Sequence, residues 1–155
     1  MRVLAALCML YLFTSLCMAN GPVETPSPIK VYKSEEPFED VLENIKMAII
    51  ERGLLVSGTL HVSDMLNRTA PDLGYSEVFS KAESVEFCSA LLSHKMAQAS
   101  PENIAICPFT IAVYVKHADP EQVYVAYRSP HLAGNAKQAT DEIITLLEGV
   151  IEDSI

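Results

Sequence analysis

Apolar residues in this chain recur with two different periods. From Phe38 they return at Leu42, Ile45 and Ile49, at spacings of four, three and four. That spacing lays one apolar face along a helix. Pro37 suits the first turn, where its missing N–H costs nothing. Gly53 supplies the C-terminal cap. The period then changes to two. Val56, Gly58, Leu60 and Val62 alternate with Ser57, Thr59 and His61, which predicts a half-buried strand. A shorter strand is expected over Ile29–Lys33, and a weaker one over Ser76–Lys81. Between those strands Ser63 can cap a short helical turn through Asn67. Ser89 can cap a helix to about Gln98, with Leu91, Leu92 and Met96 inward. Ala136, Ala139, Ile143, Leu147 and Val150 form a last helical stripe.

The strongest pattern is a hairpin. Phe109, Ile111, Val113 and Val115 share one face, and Val123, Val125 and Tyr127 share another, with HADPE between them as the turn. Pairing Lys116 with Gln122 sets Val115 against Val123, Val113 against Val125 and Ile111 against Tyr127. The opposite face then pairs Tyr114 with Tyr124 and Ala112 with Ala126. A slip of one residue would bring Tyr124 and Arg128 into the core. The predicted order is β-α-β-(α)-β-α-β-β-α. This is an α+β domain: a mainly antiparallel sheet of about five strands, with helices packed on one face. No GxGxxG is present, and the last two strands are joined by a turn rather than a crossover helix, which argues against a dinucleotide fold.

Two segments carry a family resemblance. Phe87–Pro130 (FCSALLSHKMAQASPENIAICPFTIAVYVKHADPEQVYVAYRSP) and Phe38–Leu66 (FEDVLENIKMAIIERGLLVSGTLHVSDML) resemble the domain-of-unknown-function family 302 (DUF302). Cys88 matches a family cysteine at the start of the second helix. Family members often carry a Pro-Cys pair entering the penultimate strand. Here that place reads Pro108-Phe109 with the cysteine earlier, at Cys107, as in a variant branch. The resemblance implies a compact α+β domain able to dimerise, and it implies no established activity.

Before the fold stands a different pattern. Arg2 is followed by an apolar run from Val3 to Leu16, and Ala19 offers a small-residue cleavage site. Residues 1–19 are expected to be a secretory signal peptide. Residues 20–29, NGPVETPSPI, read as a linker and residues 30–155 as one domain. An uncleaved anchor is the competing reading, at the lower edge of what spans about 30 Å of hydrocarbon. The expected location is exported, periplasmic or extracellular, with no membrane association after cleavage.

Composition then narrows the function classes. The 155 residues are 50% hydrophobic and 20% charged, which excludes a disordered chain. Twenty Asp and Glu against eleven Lys and Arg give a net charge of −9, with no basic cluster. A nucleic-acid partner is therefore not expected. GxSxG, P-loop and HExxH signatures are lacking, and no motif calls for a cofactor. Glu142, Glu148, Glu152 and Asp153 read as a solvated helix face. The histidines at 61, 94, 117 and 131 form no metal-ligand spacing and read as surface residues. Asn67-Arg68-Thr69 fits a glycosylation sequon.

Two candidate sites remain. With Cys8 and Cys17 in the leader, Cys88 and Cys107 are the cysteines of the domain. Three readings stay open: a structural disulfide, a reactive or ligand-binding thiol pair, and two separate buried thiols. A bridge would close about 20 residues, worth roughly 3 kcal/mol in the chain-entropy model. The thiol reading extends to haem or copper held by Cys88, Cys107, His94 or Met96. The second candidate is the strip of Ala112, Tyr114, Tyr124 and Ala126 on the outward face of the hairpin. It is a sheet face partly covered by the last helix, a surface for a second copy or a ligand, or plain solvent-facing surface. Two functions follow. One is an exported, non-enzymatic binding or accessory domain, homodimeric through that strip. The other is a thiol-based redox, sulfur-carrier or metal- or haem-handling protein using Cys88 and Cys107.

Overall fold

The computed structural model describes residues 27–155; the signal-peptide expectation, and most of the linker, fall outside the described residues. The elements are β1 (Ile29–Ser34), α1 (Phe38–Glu51), β2 (Leu55–His61), α2 (Val62–Leu73) and β3 (Phe79–Cys88). They continue with α3 (Ala90–Ala99), a 3-10 helix (Pro101–Ile106), β4 (Phe109–Lys116), β5 (Asp119–Arg128) and α4 (Lys137–Glu152). The five strands form one sheet in the order β1-β5-β4-β3-β2, and every neighbouring pair is antiparallel. This is the expected α+β architecture.

The core lies on one face of the sheet. Val85 and Phe87 of β3, Ile111 and Val113 of β4, and Val125 and Tyr127 of β5 point into it. Phe38, Leu42, Ile45 and Ile49 meet them from α1, and Ile143, Leu147 and Val150 from α4. Both helices therefore cover the same side, as their apolar stripes require. Gly53 closes α1 with a φ of 71°, a conformation that favours glycine.

The hairpin register is as the alternation demands. Ile111 pairs with Tyr127, Ala112 with Ala126, Val113 with Val125, Tyr114 with Tyr124, and Val115 with Val123. The turn differs. Lys116 pairs with Asp119, not Gln122, so only His117 and Ala118 turn the chain. Pro120, Glu121 and Gln122 bulge out of β5 between that pair and the next. A bulge accommodates proline, which has no ladder hydrogen to give.

Four other expectations change. The third strand is not Ser76–Lys81 but Phe79–Cys88, ten residues ending at the first candidate cysteine. Lys81 and Glu83 take inward positions opposite Val115 and Val113 and so hide the alternation; Lys81 pairs with Glu39 of α1 and Glu83 with His61 of β2. In β2 the register shifts between Val56 and Gly58, leaving Ser57 extra. This bulge reverses the facing of later residues, so Leu60 turns out to solvent at 50% exposure and Thr59 turns inward. The helix after β2 runs twelve residues rather than one turn. In α3, Ser89 caps as expected by accepting from the Leu92 N–H at 3.4 Å, but Leu91 is exposed.

Candidate functional site

The β3–β4 ladder brings the two cysteines together. Phe87 pairs with Phe109, so Cys88 ends β3 where Cys107 leads towards β4. They form a disulfide, with a Cα–Cα distance of 6.4 Å. That lies inside the usual range for a bridge. The bridge closes a loop over α3 and the 3-10 helix and is half-buried. The Ser93 hydroxyl points to the Cys107 sulfur at 3.8 Å. Asn103, buried within the bracketed segment, donates to the carbonyls of Met96 and Ala133 at 3.1 and 3.0 Å. Its own carbonyl accepts from the Ala133 N–H at 2.7 Å. The bridge and this amide together pin the segment to the body.

The structure does not assemble the haem or copper ligand set considered above. Met96 is fully buried in the core, whereas His94 stands on the exposed side of α3. Among the described residues, no group of three or more His, Cys, Asp or Glu side chains is placed to hold a metal ion. His61 and His117 are surface partners of carboxylates, Glu83 at 3.1 Å and Glu77 at 2.9 Å.

The hairpin strip lies on the sheet face opposite the core, and α4 does not cover it. The last helix packs on the other side because its stripe must meet Ile111 and Val113, whose side chains alternate with Ala112. Cross-strand register extends the strip into a row over all five strands: Val31, Ala126, Ala112, Ser84 and Leu60. Tyr124 and Tyr114 stack beside it at 5.2 Å, and Phe79 meets Tyr114 edge-on at 5.5 Å. Lys116 sits over the Tyr124 ring at 3.8 Å, a cation–π contact. The Tyr124 hydroxyl donates to Asp119 at 2.5 Å, which with burial pushes the phenol pKa up. Tyr124 and Ala126 are each only 7% exposed, so neighbours already fill much of the strip. The free surface is supplied by Ala112, Tyr114 and the row ends, Val31 and Leu60.

One polar cluster escaped the sequence reading. Glu148 does not join a solvated helix face. One of its carboxylate oxygens accepts from the hydroxyls of Tyr127 at 2.8 Å and Tyr32 at 3.3 Å. Burial, and then the Glu148 hydrogen bond, push the Tyr127 phenol far above its ordinary value. Tyr32 shifts the same way, through burial first and the Glu148 charge second. The signal was present: an inward tyrosine needs an acceptor, and Glu148 adjoins the inward Leu147.

The geometry therefore defines a disulfide-tied α+β domain with one helix-covered and one largely open sheet face. A family model described as domain of unknown function DUF302 matches residues 30–154, and the chain belongs to that family. A crystal structure described as uncharacterized conserved protein DUF302 from Bacillus stearothermophilus is similar, with a TM-score of 0.66 at 13% identity. The match covers 82% of this chain and 98% of that one. At such identity the likeness shows a shared fold. No curated protein matches the chain.

Proposed function

We propose that this chain is an exported, non-enzymatic binding domain that pairs with a second copy through the open face of its sheet. The observation that carries the reading is the row Val31–Ala126–Ala112–Ser84–Leu60. Its centre is small and its two ends are apolar and half-exposed. β4 is the middle strand, so a two-fold axis along it sets Val31 of one copy against Leu60 of the other, as an isologous contact requires. Small central residues let two sheets approach to the usual packing distance of about 10 Å.

Charge favours the same face. On a chain of net charge −9, Lys33, Lys116 and Arg128 lie at the ends of this face, against Glu86 and Asp119. Two copies meeting here avoid the repulsion that two acidic surfaces would meet elsewhere. Export draws support from the Arg2–Ala19 pattern and from the disulfide, which belongs in an oxidising compartment.

Light scattering across a concentration series tests the pairing. The wild type is expected at twice the monomer mass, and Ala112→Arg at the monomer mass with its fold intact. A wild type that stays monomeric at high concentration overturns the pairing. N-terminal sequencing of exported protein tests the other half and should begin at Asn20.

A further inference from the structure

A cavity of about 400 Å³ lies between α2 and the segment leading into β3, apart from the sheet face and the disulfide. Leu66, Ala70 and Leu73 line it from the helix; Tyr75 and Val78 line it from the segment. The size falls within the range of small-molecule sites.

Both walls are anchored before any ligand arrives. Ser63 and Asn67 tie α2 to β3 by donating to the carbonyls of Ala82 at 3.4 Å and Phe79 at 3.3 Å. Gly74, at a φ of 72°, turns the chain back, and the Tyr75 N–H donates to the Ala70 carbonyl at 3.0 Å. The far wall is held to the hairpin turn, where the His117 N–H donates to the Val78 carbonyl at 3.0 Å. The His117 ring meets Glu77 at 2.9 Å.

The cavity also concentrates exposed apolar surface. Five of the fourteen exposed large apolar side chains among the described residues fall between Met65 and Val78. Leu66, Leu73, Tyr75 and Val78 of these line the cavity, so an apolar ligand there would cover side chains that now face water. Its charge is one-sided: Glu77 is the charged residue in the lining, and no cation lines it. One oxygen of Glu77 is engaged by His117, which leaves the other available. In a chain of net charge −9, an anionic head group would be repelled here and a cationic one attracted.

We infer that this cavity binds a small amphiphile, with an apolar body of one short chain or ring system against Leu66, Leu73 and Val78 and a cationic head against Glu77. Calorimetry on the exported chain, with decyltrimethylammonium and decyl sulfate below their micelle concentrations, tests the inference. The ammonium probe should bind at least tenfold more tightly than the sulfate. Glu77→Gln should abolish that preference while tail binding persists. Leu73→Ser combined with Val78→Ser removes the apolar wall at two exposed positions and should weaken binding at least tenfold, with the circular dichroism unchanged. The inference is overturned if the wild type binds neither probe, binds both equally, or binds as well after the double substitution. It is also overturned if the double variant changes the oligomeric mass, because the groove then seats a second copy.

Discussion

Gly134 presses against the carbonyl of Ala99: a Cβ placed on Gly134 would stand 2.4 Å from that oxygen. Its φ of 75° adds a second reason for glycine. The contact seats the loop before α4 on the end of α3. Gly53 has a similar φ of 71° but open space around its missing side chain. Gly134→Ala should therefore cost about 3 kcal/mol, and Gly53→Ala about 1 kcal/mol. Urea unfolding of the two variants measures the difference, and equal losses would disprove the close contact.

The two faces of β4 separate at neighbouring positions. Val113 is fully buried opposite Val125, and Ala112 looks out opposite Ala126. Val113→Asp places an unpaired charge in the core and should cost about 4 kcal/mol or more. Ala112→Arg should change monomer stability by less than about 1 kcal/mol. Thermal melts of both variants, read in monomer units, check the register.

The disulfide is expected to act as a staple. Changing Cys88→Ser and Cys107→Ser together should lower stability by about 3 kcal/mol, following the loop that the bridge closes. Mass spectrometry of the purified wild type should show the bridge and nothing bound to the sulfurs. If stability instead holds and a co-purifying metal, haem or sulfur species disappears in the variant, thiol chemistry is the function.

Tyr127 links stability to alkaline pH. Its folded pKa is raised above the ordinary 10.0, chiefly by burial and then by the bond to Glu148. Below about pH 10 the phenol is protonated in both states, and its contribution is fully present. Above that pH the unfolded chain ionises first while the folded one keeps its proton, so stability falls as pH rises. Tyr127→Phe should cost about 1 to 2 kcal/mol at neutral pH. It should also flatten the decline above about pH 10, measured by chemical unfolding at successive pH values.

Legibility differed from element to element for identifiable reasons. The α1 stripe and the hairpin register were readable because each is written in local periodicity. β3 was not, because Lys81 and Glu83 interrupt its inward apolar positions, and their partners lie far off in sequence: Glu39 for Lys81 and His61 for Glu83. The bulge at Ser57 was hidden too, since Leu60 looks inward until one residue is left unpaired. Of the candidate sites, both strip pairs were legible through the hairpin register. Glu148 was missed because its acceptor role depends on tyrosines from two strands.

The residue pattern alone determined that the chain folds as α+β, which helix faces are apolar, and which residues of β4 and β5 oppose one another. All of these follow from repeats of two or of three to four residues, within the reach of neighbours in sequence. It also narrowed the thiol question to Cys88 and Cys107 without deciding whether they meet. Tertiary structure decided the rest. β1 joins the far end of the sheet beside β5, which completes the row from Val31 to Leu60. The pairing of Phe87 with Phe109 brings the cysteines within bridging distance. Packing of α4 on the Val113 side leaves the Ala112 side without a helix over it from that direction. Each depends on which distant segments lie side by side. That choice is made by burying the apolar faces of all the elements at once, and no single segment encodes it.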